Sequence, residues 1–268
     1  MKQKNNHSHE HTLYLKKLKR EKIFIILMQW SLLVGILLLW ELLTATGVLD
    51  SFVFSSPTRI AVSLANLFKS GELFLHVGVT LYETLVGFFI ATVTGTAIAL
   101  LLWWNERLKK ILEPYVVVLN SLPKIALGPI IIIWAGTGKA SIITMAVLIS
   151  VVITTITILN GFCNTDGEKI LLLRSMRASR FQIFTKLVAP SNVPTLMATL
   201  KINVGMAWIG SIMGEYLVSK EGLGYLLVYG SQVFRLDLVM TCTIVLCALA
   251  GVMYAVVALL EKIVVKRF

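Results

Sequence analysis

Long runs of apolar residues divide this chain of 268 residues, and they constrain its fold more than any other feature. Hydrophobic residues make up 57% of the sequence and charged residues 15%, with a mean hydropathy of +0.82. A soluble domain cannot keep that much apolar surface from water. A helix of roughly 20 apolar residues crosses a bilayer, so the runs predict an all-α, polytopic membrane protein with about six transmembrane helices.

The individual runs differ in how clearly they indicate a span. The second is the inner part of a longer helix that starts near Phe74, and the fifth is the weakest because it holds polar residues. Pro123 and Pro129 interrupt the third and predict a break in it, which a membrane tolerates only against protein or water. The predicted spans are Phe24–Trp40, Leu85–Trp104, Tyr115–Trp134, Ala140–Leu159, Leu196–Val218 and Leu238–Leu260.

Basic residues set the predicted orientation. With the N-terminus inside, 19 of the 25 Lys and Arg residues fall in cytoplasmic segments and five in outer segments. Basic residues favour the cytoplasmic side of a membrane, so both termini are predicted to be cytoplasmic. The net charge of +11 follows from this bias. Binding of nucleic acid is disfavoured, because the basic residues flank spans and form no continuous patch.

The spans divide the chain into segments. We expect a polar cytoplasmic tail at 1–22, a first transmembrane helix at 23–43 and a membrane core at 74–262. The core holds a cytoplasmic loop at 163–196, and the chain ends in a short cytoplasmic segment at 263–268. The outer loop at 44–73 should contain a short helix on the membrane surface, with Ser56 and Pro57 at its start and its apolar side formed by Ile60, Val62, Leu64 and Leu67.

Histidine and cysteine residues give no metal-site pattern. Three histidines lie in the tail, which we interpret as disordered in preference to metal-binding. The three cysteines are odd in number and fall in or beside apolar runs, so they indicate neither a disulfide framework nor a metal site. These residues are His7, His9, His11, Cys163, Cys242 and Cys247.

The cytoplasmic loop contains an unusual segment, Met176–Pro194. Ser179 and Gln182 fit a capping box, in which each side chain accepts a backbone N–H at the start of a helix. Phe181 and Phe184 then recur at helical spacing, and Pro190 should stop the helix. A helix of this kind lies on anionic lipid headgroups, or inserts into a groove on a cytoplasmic protein with the two phenylalanines as anchors. The residues alone leave these two interpretations open.

The same loop resembles one known family. The membrane-spanning subunits of bacterial ATP-binding-cassette (ABC) importers carry Glu-Ala-Ala, three residues, Gly, nine residues and Ile-x-Leu-Pro. In the nitrate, taurine and alkanesulfonate branch, the following sequence resembles Ala178–Phe184 here. The end of the motif matches Leu187–Pro190, which places the family's Gly on Arg177 and its Glu-Ala-Ala on Leu171–Leu173. Gly adopts a left-handed backbone conformation at little cost in free energy. Arg177 at this position either adopts the same conformation at a higher cost, or the chain bends differently.

Other segments extend the resemblance over residues 56–260, and their order and spacing make it strong. They are Ser56–Thr58, Gly71–Leu73, Thr80–Leu81, Gly87–Phe88, Leu122–Ala126, Pro129–Ile130, Trp134–Gly138, Ala207–Trp208, Gly214–Glu215 and Gly222–Leu226. The resemblance implies the transmembrane domain of a type I ABC importer and favours the protein groove over lipid as the partner of the loop.

The resemblance also implies partners and a location. Two cytoplasmic ATPase subunits would each take one permease loop into a surface cleft, and ATP would shift the permease dimer between two packings. The second permease copy is the same chain or a close paralogue. A binding protein outside would deliver the substrate, and the complex would lie among the lipids of the bacterial cytoplasmic membrane. The loop residues implied in coupling are Arg177, Ala178, Ser179, Arg180, Phe181, Gln182, Phe184, Leu187 and Pro190.

The chain itself is not expected to be an enzyme or to bind a cofactor. Gly136–Lys139 superficially resembles a phosphate-binding loop. The motif needs a Gly at Ile133 and Ser or Thr at Ala140, and neither is present. ATP and magnesium are therefore expected on the partner ATPase.

A few residues are candidates for the substrate pathway. Lys124 could attract an anion, or it could bind backbone carbonyls freed by the nearby prolines. Glu215 and Glu83 could pair with Lys124 or lie in a wet outer vestibule. Asn203 and Trp208 could line a cavity or pack helices.

Two other classes of function remain to be weighed. An autonomous secondary transporter is the main alternative, but the sequence shows no evident inverted repeat and few intramembrane acids. A membrane sensor has little support, because no soluble signalling domain is evident. The branch implies a sulfonate- or nitrate-like anion or a heterocyclic vitamin precursor as the substrate.

Overall fold

A computed structural model of the chain describes residues 9–266, and within that range it is helical. A 3₁₀ turn covers Lys124–Leu127 and a π turn covers Phe184–Val188. The helices are α1 (His9–Ala45), α2 (Ser51–Phe54), α3 (Pro57–Ser70), α4 (Glu72–Trp104), α5 (Glu106–Ser121), α6 (Gly128–Ala135), α7 (Lys139–Cys163), α8 (Gly167–Ser175), α9 (Arg180–Ile183), α10 (Ala189–Ser191), α11 (Val193–Val218), α12 (Leu223–Gln232) and α13 (Leu236–Val265).

The number of membrane spans agrees with the sequence prediction. Among the described residues, five helices are long and apolar enough to cross a membrane: Lys17–Ala45 of α1, and α4, α7, α11 and α13. The bent pair α5 and α6 makes a sixth if it is counted as one span. The predicted all-α membrane fold is confirmed.

The predicted break in the third span is present. The helix segments Glu106–Ser121 and Lys124–Ala135 meet at an angle of 88°. Pro123 lies between them, and Pro129 falls in the first turn of α6, where its missing N–H costs nothing. The third predicted span is therefore two short helices.

The chain divides into two compact units, residues 1–62 and 63–268. In the first, the Glu41 carboxylate accepts hydrogen bonds from the Thr58 backbone N–H (3.0 Å) and hydroxyl (2.8 Å). These bonds satisfy an N–H in the first turn of α3, which has no partner within the helix. Ser56 also accepts the Arg59 N–H, so the predicted helix start at Ser56 and Pro57 is confirmed.

Two predictions near the N-terminus need correction. The tail was interpreted as disordered up to residue 22, but α1 begins at His9, because its Lys, Leu and Glu residues favour extension of the helix. His7 lies outside the described residues. In α3, Ile60 and Leu67 are buried, whereas Val62 is exposed because it lies about 200° around the helix from Ile60.

The second unit is built around α4, α7 and α11, which pack closely through small residues. A side-chain carbon on Gly87 would lie 2.6 Å from the Ala146 Cβ, and one on Gly210 would collide with the Ala146 backbone. In a membrane, no hydrophobic force drives helices together, so association depends on van der Waals packing. Small residues allow the helix backbones to approach closely enough for that packing. Ala146 of α7 thus contacts both α4 and α11, and these two helices also meet each other where the Thr84 and Ser211 hydroxyls lie 2.6 Å apart.

Helices α12 and α13 pack against α11. A core formed by Trp208, Leu223, Leu226 and Leu246, among others, joins α11 to α12 and α13. Near the other end of α11, the Lys201 ammonium and the Glu261 carboxylate form an ion pair at 2.8 Å.

Candidate functional site

Residues 163–196 form an ordered structure where α7 ends and α11 begins. We call this end of the second unit the loop end, and the end where α4 begins and α11 finishes the far end. Asp166 caps α8, since its carboxylate accepts the Glu168 N–H at 3.0 Å. That bond holds the pKa of Asp166 below its ordinary value.

Arg177 keeps the left-handed turn that the family's Gly would make, with φ of 56°. The Ala178 N–H bonds to the Leu173 carbonyl (3.0 Å), and the Arg177 N–H to the Arg174 carbonyl (2.9 Å). These two bonds form a Schellman motif, which ends a helix through one left-handed residue. The turn geometry is thus preserved although the glycine is replaced.

The predicted capping box begins the next helix. The Gln182 N–H donates to the Ser179 hydroxyl at 3.2 Å, and the Ser179 N–H donates to the Gln182 side-chain oxygen at 2.7 Å. Both partners of the box are therefore in place, and this prediction is confirmed.

The helix after Ser179 does not stop at Pro190, and that prediction is wrong. A π turn at Phe184–Val188 shifts the hydrogen-bond register, and the Ala189 N–H bonds to the Phe184 carbonyl. Pro190 then falls in the first turn of α10, where no N–H is needed. The chain continues through Ser191 almost directly into α11.

The two phenylalanines of the loop face different surroundings. Phe184 packs against Trp103 and Phe162, with ring centroids 5.2 and 5.6 Å away. Phe181 is 64% exposed. The structure therefore revises the expectation for Phe184, which anchors the loop to its own chain, and leaves Phe181 free to contact a partner.

Arg180 and the other loop residues also divide between inner and outer faces. Arg180 donates to the Trp103 carbonyl at 3.1 Å and lies over the Trp103 ring, 5.5 Å from its centroid. It thereby fastens α9 to the last turn of α4. The predicted coupling residues that are exposed are Arg177, Ser179, Arg180, Phe181 and Gln182, whereas Ala178, Phe184, Leu187 and Pro190 are half-buried. Leu171, Leu172 and Met176 nearby are also exposed.

Apart from Glu83 and Glu215, which are both buried at the far end, the predicted pathway residues do not come together. The Lys124 ammonium donates to the Asn120 carbonyl at 3.1 Å, at the break between α5 and α6. Glu215 lies at the far end, buried, and pairs with no lysine among the described residues. The pairing of Lys124 with Glu215 that the sequence left open is absent.

Asn203 and Trp208 are both buried within the second unit. The Asn203 amide accepts from the Thr154 hydroxyl (2.9 Å) and donates to the Thr92 hydroxyl (3.2 Å), which joins α11 to α7 and α4. Trp208 belongs to the apolar core around α12 and α13. Both positions match the helix-packing alternative, and a role in the pathway stays a prediction.

A cluster of buried polar side chains at the far end was not predicted from the sequence. Three consecutive backbone N–H groups that begin α12 each donate to a side chain of another helix. Gly222 donates to His76 Nδ1 (2.9 Å), Leu223 to the Thr80 hydroxyl (2.8 Å) and Gly224 to Glu215 Oε2 (2.5 Å). The spacing of His76, Thr80 and Glu83 on one face of α4 is the signal that could have indicated it.

A family model agrees with this architecture. Residues 84–268 match the family described as the binding-protein-dependent transport system inner membrane component. The chain belongs to this family. It is the permease subunit of an ABC transporter and a multi-pass membrane protein.

Similar proteins with assigned names support the assignment to this family. An ABC transporter permease protein of Haemophilus influenzae is 31% identical over 83% of this chain and 91% of its own length. The formylaminopyrimidine transport permease ThiX of Halalkalibacterium halodurans is 32% identical over 71% of this chain and 75% of its own. The aliphatic sulfonates transport permease SsuC of Escherichia coli is 29% identical over 87% and 89%.

Solved structures show the same fold at low sequence identity. The inward-facing MetNI methionine ABC transporter aligns over 70% of this chain and 94% of its own, with a TM-score of 0.62 and 21% identity. A bacterial ABC transporter for import of alginate aligns over 93% and 98%, with a TM-score of 0.63 and 13% identity. The predicted transmembrane domain of an ABC importer is thus confirmed as the fold.

Proposed function

We propose that this permease imports a small solute that an extracellular binding protein delivers, and that a separate ATPase drives it. Two copies of the permease, or this chain and a close paralogue, would enclose one pathway in the cytoplasmic membrane. Two ATP-binding subunits would hold ATP and magnesium on the cytoplasmic side, where both termini would also lie. The structure of the loop carries this proposal.

The loop has the properties of a docking element. Its inner face is fixed to α4 and α7 through Phe184 and Arg180, so a force on the loop reaches the long helices. Its outer face presents Phe181, an exposed aromatic side chain of the kind that anchors a helix in a protein groove. An element that only joined two spans would need neither feature.

The names of the relatives narrow the proposed substrate. ThiX and SsuC are named for a formylaminopyrimidine and for aliphatic sulfonates. We therefore propose a sulfonate- or nitrate-like anion or a heterocyclic vitamin precursor. The alternative, an autonomous secondary transporter, predicts uptake by this chain alone.

Uptake into proteoliposomes tests the proposal. The permease, its ATPase and its binding protein would be reconstituted together and offered an alkanesulfonate, nitrate and formylaminopyrimidine in turn. We expect accumulation of one of them that requires ATP hydrolysis and the binding protein. Uptake by the permease without the ATPase would establish the secondary transporter instead.

A further inference from the structure

Two carboxyl groups are buried together at the far end of the second unit. Glu83 of α4 is 0% exposed and Glu215 of α11 is 1% exposed. The hydroxyls of Thr84, next to Glu83, and Ser211, one turn before Glu215, lie 2.6 Å apart, so the two carboxyl side chains are neighbours across the contact between α4 and α11. Two neighbouring carboxylates without water repel strongly, so a native fold that contains them must neutralise at least one charge.

No lysine, arginine or metal ligand set does so. The Lys139 ammonium acts on Glu83 only at a distance: it lies over the Tyr82 ring, 5.8 Å from its centroid, and forms no ion pair with either carboxyl among the described residues. Glu221 is also near and adds negative charge. Within residues 9–266, no group of three or more His, Cys, Asp or Glu side chains could hold a metal ion.

The hydrogen bonds of the pair are incomplete in a specific way. Glu215 Oε2 accepts the Gly224 N–H, and the Thr80 hydroxyl and Tyr225 N–H also interact with the Glu215 carboxyl. Glu215 Oε1 and both oxygens of Glu83 have no hydrogen-bond partner. One proton on Glu83 completes the set. Its O–H can donate to Glu215 Oε1, which leaves only a neutral carbonyl oxygen without a partner, and such an oxygen costs far less to bury than an ion.

We propose that Glu83 and Glu215 bind one proton between them, and that this proton holds α4, α11 and the start of α12 together. The charge left on Glu215 strengthens its bond to the Gly224 N–H. Gly222 and Gly224 lie so close that a side-chain carbon on either would collide with the Glu215 carboxyl. His76 and Thr80 bind the two preceding N–H groups, so the proton completes a clamp on the segment Gly222–Gly224.

The proton has a route to the pair. Glu83 borders a cavity of about 280 Å³ whose other charged lining residues are Lys139, Lys220 and Glu221. The cavity opens at the far end beside the turn that follows α11. Solvent in this cavity reaches the neighbourhood of Glu83, whose oxygens are buried, so a small local movement would let the proton exchange. The inference requires neither the proposed substrate nor the ATPase partner.

Infrared spectroscopy of the full complex in lipid nanodiscs tests the proposal. Glu83→Gln replaces the protonated carboxyl by a neutral amide of the same shape, which can donate to Glu215. We expect the wild type to show the carbonyl band of a protonated carboxyl and E83Q to lack it. The control E221Q, in the turn after α11, should keep the band. If the E83Q spectrum differs from that of the wild type only by the loss of carboxylate bands, Glu83 is ionised in the wild type and the proposal is wrong.

Thermal unfolding of the same samples gives a second test. E83Q should melt at the wild-type temperature, because the amide replaces the bound proton. E83D should melt lower, because its shorter side chain draws the carboxyl away from Glu215. The proposal is wrong if E83Q fails to fold. It is also wrong if sodium or potassium raises the melting temperature of the wild type but not of E83Q, because the site then binds a cation.

Discussion

Arg177 adopts the left-handed turn expected for the family's Gly, and it does so at a cost in conformational free energy. A residue with a side-chain carbon loses about 1–2 kcal/mol in the left-handed region, where glycine loses almost nothing. Here Arg177 has φ of 56° and both bonds of the Schellman motif. The surrounding hydrogen bonds and the buried side of the loop therefore impose the turn, and the residue itself does not favour it.

Replacing Arg177 with Gly should stabilise the protein. We expect R177G to gain about 1 kcal/mol, because the exposed side chain loses no contact and the strain disappears. R177A keeps the side-chain carbon and should gain nothing. Melting temperatures of both variants check this prediction, and equal temperatures for the two would show that the turn is unstrained.

Lys124 illustrates the choice between a pathway and a structural role. Its ammonium donates to the Asn120 carbonyl, which α5 leaves without a partner where Pro123 breaks the helix. A positive charge at the last turn of a helix also stabilises it. The bond thus satisfies a carbonyl oxygen at the helix break, which favours the structural role for Lys124.

Replacing Lys124 with Met should lower stability by about 1 kcal/mol, the usual value of one hydrogen bond. Substrate affinity in the uptake assay should stay unchanged, and K124R, which keeps a donor, should behave like the wild type. Weaker uptake of an anion with an unchanged melting temperature would place Lys124 in the pathway.

At the scale of elements, the loop between α7 and α11 has an inner and an outer face. Ile183, Phe184 and Val188 lie on the inner face, where they pack with the ends of α4 and α7. Phe181 lies on the outer face, although it is only three residues, about 60° around the helix, from Phe184. The boundary between the faces therefore passes between the two rings, and the π turn that begins at Phe184 shifts the residues after it, including Val188.

The two phenylalanines should respond differently to truncation. F184A removes the ring that packs on Trp103 and Phe162 and should cost about 2 kcal/mol or more. F181A removes an exposed ring and should leave the melting temperature unchanged. A larger loss from F181A than from F184A would reverse the assigned faces.

Much of this loop could be predicted from sequence, and the failures have identifiable causes. The capping box at Ser179 depends on residues three positions apart, so local spacing reveals it. The π turn depends on how Val188 packs against distant helices, which no local pattern encodes. Pro190 therefore resembled a helix stop, although the shifted register accommodates it.

At the scale of the whole molecule, the spans and the family were readable because composition and motif order extend along the chain. The far-end cluster was not, because His76 and Glu215 meet residues 222–224 only after α4 and α11 pack together. Pathway residues were hardest to predict. Within this chain Asn203 and Trp208 are buried, and in the proposed dimer the pathway would depend on surfaces outside a single chain's core.

In the proposed function, the ATPase would contact the outer face of the loop. The exposed apolar residues there on α8 and α9 are Leu171, Leu172, Met176 and Phe181. The inner face would transmit the resulting motion to α4 and α7, so an ATPase would need both faces to drive the membrane helices.

Co-purification of the ATPase with Phe181→Asp tests this claim most directly. The control is F234D, since Phe234 is similarly exposed (67% against 64%) but lies at the far end. We expect F181D to insert in the membrane and melt like the wild type but to lose the ATPase, and F234D to retain it in stoichiometric amount. If F181D still retains the ATPase while F234D loses it, the coupling site lies at the far end and the account is wrong.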